Sequence, residues 1–238
     1  MKNYDLTIIV PVYNEEENLD RVEKELKNYL ENGKTKAKVL FVNDGSKDKS
    51  QLMIEDICQN NEGFSYILLA QNMGLSAAIK AGIDFSDTTY TGYIDSDLQT
   101  SPEDFDLLME YASDYALVTG IRANRKDTFV KNISSKIANG IRRSVTHDGM
   151  QDTGCPLKVM KSDYAKRIPF FTGMHRFLPA LIQLQKGEVK QIEVRHFPRI
   201  AGVAKYHLWN RLTGPLMDLF AYNWMRKRYI NYQVARKG

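Results

Sequence analysis

The chain is poor in cysteine and histidine, and it has no long apolar run. Its two cysteines, Cys58 and Cys155, cannot build a disulfide framework and form no C-x-x-C pair. Each is expected to be a reduced, partly buried thiol. His147, His175, His196 and His207 are scattered without H-x-x-x-H spacing, which argues for structural or surface roles. No stretch approaches the ~18 apolar residues of a membrane span. The longest near the end, Gly214 to Met225, is broken by Asp218 and Asn223, so the chain is not expected to cross a bilayer by itself. Lys2 and Asp5 lead straight into strand-like sequence, so no signal peptide is expected. There is no G-x-G-x-x-G and no G-x-x-x-x-G-K-[ST], which excludes the usual dinucleotide and P-loop phosphate cradles.

Charge is plentiful but uneven. The 238 residues carry 33 Lys/Arg and 29 Asp/Glu, a net +4. From Lys186 onward, 11 Lys/Arg face 3 Asp/Glu, a local +8, which leaves −4 on the first 185 residues. A basic end on a mildly acidic body suits anions: phosphates, an anionic membrane surface or nucleic acid.

Apolar patterning divides the first 120 residues into alternating elements. Strands are expected at Leu6–Val10, Ala37–Val42, Phe64–Leu69, Thr89–Ile94 and Tyr115–Gly120. Helices are expected over Glu15–Glu31, with Leu19, Val22, Leu26 and Leu30 on one face, over Ser50–Gln59 and over Leu75–Phe85. A fourth starts near Pro102 with Ser101 as its cap and runs to about Ala112. Gly74 and Gly82 are read as close-packing positions. Asp48, Asp56 and Asp84 are read as solvated helix charges. The alternation implies an α/β fold with a mostly parallel sheet covered by helices on both faces. Such sheets bind ligands at the carboxyl ends of their strands. Tyr13-Asn14-Glu15, Asn43-Asp44, Gln71-Asn72 and Asp95-Asp97 all fall there.

The second half is less regular. Helices are expected at Phe129–Val145, Arg176–Gln185 and Leu212–Tyr229, a turn at Asp152–Pro156 before apolar Leu157–Met160, and a strand at Val189–His196. With no repeat and no linker, the chain reads as one domain, 1–238. Residues 1–120 form one half, 121–211 an elaborated second half, and 212–238 an amphipathic C-terminal helix.

The stretch YIDSDLQTSPE places Asp95 and Asp97 one residue apart after the fourth strand. Alternation along extended backbone points both carboxylates to the same side. Two like charges so close repel unless a cation compensates. Hard carboxylate oxygens suit Mg²⁺ or Mn²⁺, and such ions are commonly shared between one or two carboxylates and a substrate's phosphates. A metal-bridged diphosphate is the implied ligand.

Four segments, IIVPVYNEEENL, VLFVNDGSKDKS, QNMGLSAAIKAGID and GYIDSDLQTSPE, occur in order after the first four strands. In them the chain resembles the family 2 glycosyltransferases, which have the GT-A fold. GIRANRKD, DTGCPLKVM and FPRIAGVAKYHLWNRL resemble the polyprenyl-phosphate subgroup, including the dolichyl-phosphate mannose synthases. Of that subgroup's R-x-x-G-x-S-K-Y, Arg199, Gly202, Lys205 and Tyr206 match, while Ala204 replaces the serine.

The resemblance implies that Asp95 and Asp97 hold the metal on a nucleotide-sugar diphosphate, with Gln99 beside them. It implies that Pro11, Tyr13 and Glu15 line the nucleoside pocket and that Asp44 reads the base or ribose. Arg122, Arg125, Arg199 and Lys205 would bind donor and acceptor phosphates. Apart from the resemblance, His175-Arg176 is a candidate acceptor contact from its place in the second half. Asp97, Asp152 and Arg122 are the expected catalytic set. With a hydroxyl acceptor Asp152 is the candidate base. A lipid monophosphate, with a second pKa of about 6, needs no base, and Asp152 would then position.

The expected reaction is inverting transfer from a UDP- or GDP-sugar to a polyprenyl phosphate, with Mg²⁺ or Mn²⁺. The expected place is the inner face of the cell membrane, to which a cytoplasmic chain attaches peripherally. Trp209, Tyr222, Trp224 and Tyr229, interleaved with Arg211, Arg226, Lys227 and Arg228, suit such an interface. A saccharide or other hydroxyl acceptor and a catalytically silent scaffold on a membrane partner are the competing readings. A second copy of the chain or a membrane protein stays open as a partner. Nucleic acid is not expected, because it would leave the aspartate pair idle.

Overall fold

The structure, a computed structural model, describes residues 3–122, 145–198, 213–231 and 235–236. Arg125, Arg199, Lys205 and nearly all of the helix expected from Phe129 lie outside the described residues.

The strands are β1 (Leu6–Val12), β2 (Ala37–Asn43), β3 (Phe64–Leu68), β4 (Tyr90–Tyr93), β5 (Leu117–Arg122), β6 (Lys158–Lys161) and β7 (Val189–Val194). They make one seven-stranded sheet in the order β3-β2-β1-β4-β6-β5-β7. All neighbours are parallel except β6, which runs antiparallel to β4 and β5. The apolar run after Pro156 is thus a reversed strand in the middle of the sheet.

β1 shows how sequence sets the layers. Leu6, Ile8, Val10 and Val12 join one core, while Ile9 belongs to the other, as the period of two requires. The first core is covered by α1 (Leu19–Asn32), α2 (Ser50–Asn60) and α4 (Asp104–Met109). The second lies under α3 (Leu75–Phe85), α5 (Ser162–Lys166), a 3₁₀ turn (Met174–Phe177), α6 (Leu178–Leu184) and α7 (Thr213–Arg228). Each wholly buried Ile or Leu contributes about 1.5–3 kcal/mol by leaving water.

α1 begins later than its periodicity suggests. Asn14 has φ 50, a left-handed conformation that a helix cannot include. Residues 15–18 form a turn instead, with the Asn18 N–H donating to the Glu15 carbonyl at 2.9 Å. Its fully buried residues are Leu19, Val22, Leu26 and Tyr29, and Leu30 packs partly buried against the same core. α4 is also shorter than expected, and Ser101 does not cap it. Glu103 holds the cap position, and the Ser101 hydroxyl is taken by the Glu103 carboxylate.

Of the two glycines read as packing positions, Gly82 qualifies: a Cβ there would meet Ile9 side-chain atoms at 2.5–2.8 Å. Gly74 has open space around it and is required by its φ of +87. Asp48 is not merely solvated, since it accepts the Ser50 N–H at 3.0 Å and the Glu16 N–H at 3.2 Å. A groove of about 600 Å³ lined by Tyr4, Lys27, Lys36 and Phe64 lies at the amino ends of β2 and β3, remote from the strand ends that carry the polar clusters.

Candidate active site

Pro11 tolerates its place in a central strand because β1 pairs with β4 only as far as Ile9. Beyond it, Tyr13 and Glu15 turn out of the sheet, both half-buried. This turn is tied to the loop after β2. The Asn14 N–H donates to Ser46 Oγ at 2.9 Å, the Glu15 N–H to Ser50 Oγ at 3.0 Å, and the Lys47 N–H to Asn14 Oδ1 at 2.7 Å. The Glu15 carboxylate accepts from Asn18 Nδ2 at 2.6 Å.

Asp44 is buried, and it is aimed at the third loop. Its carboxylate accepts from the Met73 N–H at 2.7 Å, the Gly74 N–H at 2.8 Å and Asn72 Nδ2 at 2.9 Å. It therefore orders the start of α3, a role the sequence did not disclose. Gly45, at φ +66, lets the two loops meet: a Cβ there would lie 2.6 Å from the Gln71 backbone.

At the end of β4 the chain makes a tight turn. The Leu98 N–H donates to the Asp95 carbonyl at 3.1 Å, and Leu98 takes φ 43. Arg21 of α1 holds the turn from outside, donating to the Leu98 carbonyl at 3.0 Å. Tyr93 donates its phenolic proton to Asp95 Oδ1 at 2.5 Å. Burial first, and then the Asp97 charge, push the Asp95 carboxyl up to about 6, against the Tyr93 hydrogen bond and the more distant Lys158 and Arg122. A pair so strained by its own charge is suited to a cation. The two aspartates supply hard oxygens, and no third acidic or imidazole group joins them in a cluster among the described residues. That set fits an ion completed by substrate phosphates and water, not a protein-enclosed metal.

Gln99 continues this turn and faces β7. Its carbonyl accepts from the Phe197 N–H at 2.8 Å and pairs with His196 Nδ1 at 3.0 Å, while its Nε2 donates to the Phe197 carbonyl at 3.4 Å. Arg195 adds an ion pair to buried Asp104 at 2.7 Å. The aspartate turn is thereby fastened to the segment that leads into Arg199.

Arg122, at the end of β5, binds Asp152 twice, through Nε to Oδ2 at 2.8 Å and Nη2 to Oδ1 at 2.9 Å. Burial alone would raise the Asp152 carboxyl. The Arg122 hydrogen bonds and charge outweigh it and hold the group below the ordinary carboxylate value. His175 is half-buried, 2.8 Å from Ser76 Oγ at the start of α3. Burial, then the Arg176 and Lys158 charges, drive it down to about 3. Neighbouring Arg176 pairs with Asp218 of α7 at 3.7 Å. Sequence reasoning missed Lys158, a lysine 1% exposed at the start of β6. The signal was a lone charge inside the apolar run PLKVM.

The chain belongs to glycosyl transferase family 2, whose family model matches residues 7–169. It is 32% identical over 218 residues to an undecaprenyl-phosphate 4-deoxy-4-formamido-L-arabinose transferase of Pectobacterium carotovorum, covering 90% of this chain and 66% of that one. It is 28% identical over 228 residues to a dodecaprenyl-phosphate galacturonate synthase of Rhizobium johnstonii, covering 93% and 67%. The chain thus spans about two thirds of the length of these relatives. The fold is GT-A, shared with glucosyl-3-phosphoglycerate synthase of Mycobacterium tuberculosis in complex with Mn²⁺, UDP and glucosyl-3-phosphoglycerate. That likeness has a TM-score of 0.70 at 11% identity, covering 96% of this chain and 81% of that one. A mannosyltransferase of Pyrobaculum calidifontis in complex with GDP-Man and Mn²⁺ has a TM-score of 0.66 at 13% identity, covering 98% and 66%.

Proposed function

We propose that this chain transfers a sugar from a UDP- or GDP-sugar to a polyprenyl phosphate, with inversion at the anomeric carbon. The observation that carries the reading is the Asp95–Asp97 pair at the end of β4, with Asp97 buried, Asp95 half-buried and the Asp97 charge raising the Asp95 carboxyl, in a chain similar to polyprenyl-phosphate sugar transferases. Asp95 and Asp97, with Gln99 beside them, would hold Mg²⁺ or Mn²⁺. When bound, the ion supplies Lewis-acid stabilisation of the charge that the departing nucleoside diphosphate gains.

Pro11, Tyr13 and Glu15 form the nucleoside wall. Asp44 acts there by ordering the 72–74 loop, and the base or ribose is its proposed ligand. Arg125, Arg199 and Lys205 are proposed as phosphate ligands by resemblance. A phosphate acceptor is favoured over a hydroxyl by Asp152. A carboxylate held low by a two-point arginine contact is a poor base, and a phosphate monoester needs none. Asp152 and Arg122 then position and neutralise.

The same reading places the protein on the inner face of the cell membrane. No helix among the described residues is long and apolar enough to cross a membrane. α7 instead exposes Met217 (69%), Phe220 (71%) and Trp224 (64%) at helical spacing. Arg226, Lys227 and Arg228 follow at its end. An apolar stripe ending in cations suits an anionic lipid interface.

The deciding experiment is a donor screen with Mn²⁺, reading transfer to a short polyprenyl phosphate. Product formed with a UDP- or GDP-sugar and abolished by chelator supports the reading. Transfer only to free saccharides would overturn the acceptor.

A further inference from the structure

Lys158 is a buried cation to which the mechanism above gives no task. Its strand register sets it beside Tyr93 of β4, the residue bonded to Asp95, and beside Thr119 of β5. Its neighbours in the chain, Leu157, Val159 and Met160, are apolar and buried. Methionine or leucine would fill such a place without the cost of burying an amine.

What holds the amine is the turn before the strand. Nζ donates to the Cys155 carbonyl and, at 3.5 Å, to that of Thr153. The same turn is tied at two further points. Arg122 grips Asp152, and Asp152 Oδ1 accepts the Gly154 N–H at 3.1 Å. Gly154 lies against the arginine, since a Cβ there would come 3.0 Å from Arg122 Nη2. Burial lowers the Lys158 ammonium, while the Asp152 and Asp95 carboxylates favour its charge. The amine thus lies within electrostatic reach of both acidic groups of the site.

We propose that Lys158 is a positioning residue: by donating to the Thr153 and Cys155 carbonyls it holds the 152–155 turn so that Asp152 stays seated on Arg122 for use of the acceptor. This rests on the transfer reading above. Lys158 touches neither substrate nor metal in this role, and it acts through Asp152.

The test uses the full chain in a Cys58→Ala background, so that Cys155 is the sole thiol. Lys158→Met is expected to lower kcat/KM for the polyprenyl phosphate about 10- to 100-fold, the scale of a lost charged hydrogen bond. Affinity for Mn²⁺ with UDP or GDP, by calorimetry, is expected to stay within about twofold, because the aspartate turn is left intact. Cys155, buried with its carbonyl under the amine, is expected to react faster with a thiol reagent. Combined with Asp152→Asn the kinetic losses should be less than multiplicative, since both act on one turn. Lys158→Gln, which keeps a donor on a shorter arm, is expected to fall between.

Wild-type acceptor kinetics in Lys158→Met would overturn the inference. So would equal losses of donor affinity and acceptor use accompanied by a lower Tm, which would mark a general packing role. If Lys158→Met does not fold, Lys158→Gln decides by the same readouts. If the wild type binds Mn²⁺ and nucleotide but transfers to no polyprenyl phosphate, the acceptor reading fails. The Cys155 reactivity of the variants still decides whether Lys158 holds the turn.

Discussion

Arg122 and Asp152 meet through two parallel hydrogen bonds of 2.8 and 2.9 Å, joining the end of β5 to the turn before β6. Side-chain exposure is 14% for the arginine and 15% for the aspartate, so the pair is only lightly screened. Removing one partner strands the other's charge.

Asp152→Asn is therefore expected to destabilise the fold by about 1–3 kcal/mol and to reduce acceptor kcat/KM more than donor affinity. The native carboxyl is held below its ordinary value. Its stabilisation is thus present above the unfolded pKa and lost as pH falls through the folded one. Thermal melts of wild type and variant should converge on acidification. A constant gap down to the acid transition would contradict the ion pair. Arg122→Lys, which cannot make the two-point contact, should resemble Asp152→Asn.

Asp97→Ala is expected to abolish turnover while leaving Tm within about 1 °C, or raising it, because it removes a like charge beside Asp95. In the wild type, Mn²⁺ affinity in the presence of UDP should weaken as pH falls through about 6, where Asp95 takes up a proton. Calorimetry across that range is the measurement. Turnover surviving in the variant would end the metal assignment.

How far the site could be read before the structure depends on the kind of interaction. The placement of Asp95 and Asp97 just past the end of a strand was legible because a short polar pair after an apolar run has a local pattern. The Asp44 contact to Met73 and Gly74, the Gln99 contact to Phe197 and the Lys158 contact to Cys155 join segments whose meeting is fixed only by folding. Strands β1 to β3 follow directly from short apolar runs rich in β-branched and aromatic residues. β6 was seen only as an apolar run, because direction within a sheet is a property of chain path, not of composition. The late start of α1 turned on the Glu15–Asn18 turn, closed by the Asn18 N–H on the Glu15 carbonyl, which periodicity does not register.

His175 supplies an acid-side signature. Burial lowers it from 6.5 to about 3, so it stays neutral in the fold while the unfolded chain protonates it below about 6.5. Its stabilisation is present above that pH and lost progressively as pH falls toward about 3. His175→Phe should lower Tm at neutral pH through loss of the Ser76 contact. It should also flatten the fall in Tm on the acid side. An unchanged slope would show that the ring is not buried neutral.

Gly82→Ala is expected to cost about 1–3 kcal/mol by overpacking, because the new methyl would meet Ile9 at 2.5 Å. Gly45→Ala should cost a similar amount and also weaken nucleotide binding, since it pushes on the Gln71 backbone beside the Asp44-ordered loop. Urea melts with UDP or GDP titration distinguish the two, and equal nucleotide affinity in both variants would argue against the loop's role.

Phe220→Ser with Trp224→Ser should reduce co-sedimentation with vesicles rich in anionic phospholipid at least fivefold, on the order expected from losing two exposed aromatic anchors. Tm should be unaffected, because both side chains face outward. Binding that persists in the double variant would move the contact away from α7.

The reversed direction of β6 has an outcome for how such enzymes diversify. β5 leaves the sheet at Arg122, and β6 re-enters it at Lys158, on the same rim as Asp95. Whatever chain length separates those two points must begin and finish on the rim that carries Asp95 and Asp97. A change in that length therefore alters what stands over this rim while the order and direction of the seven strands stay as they are.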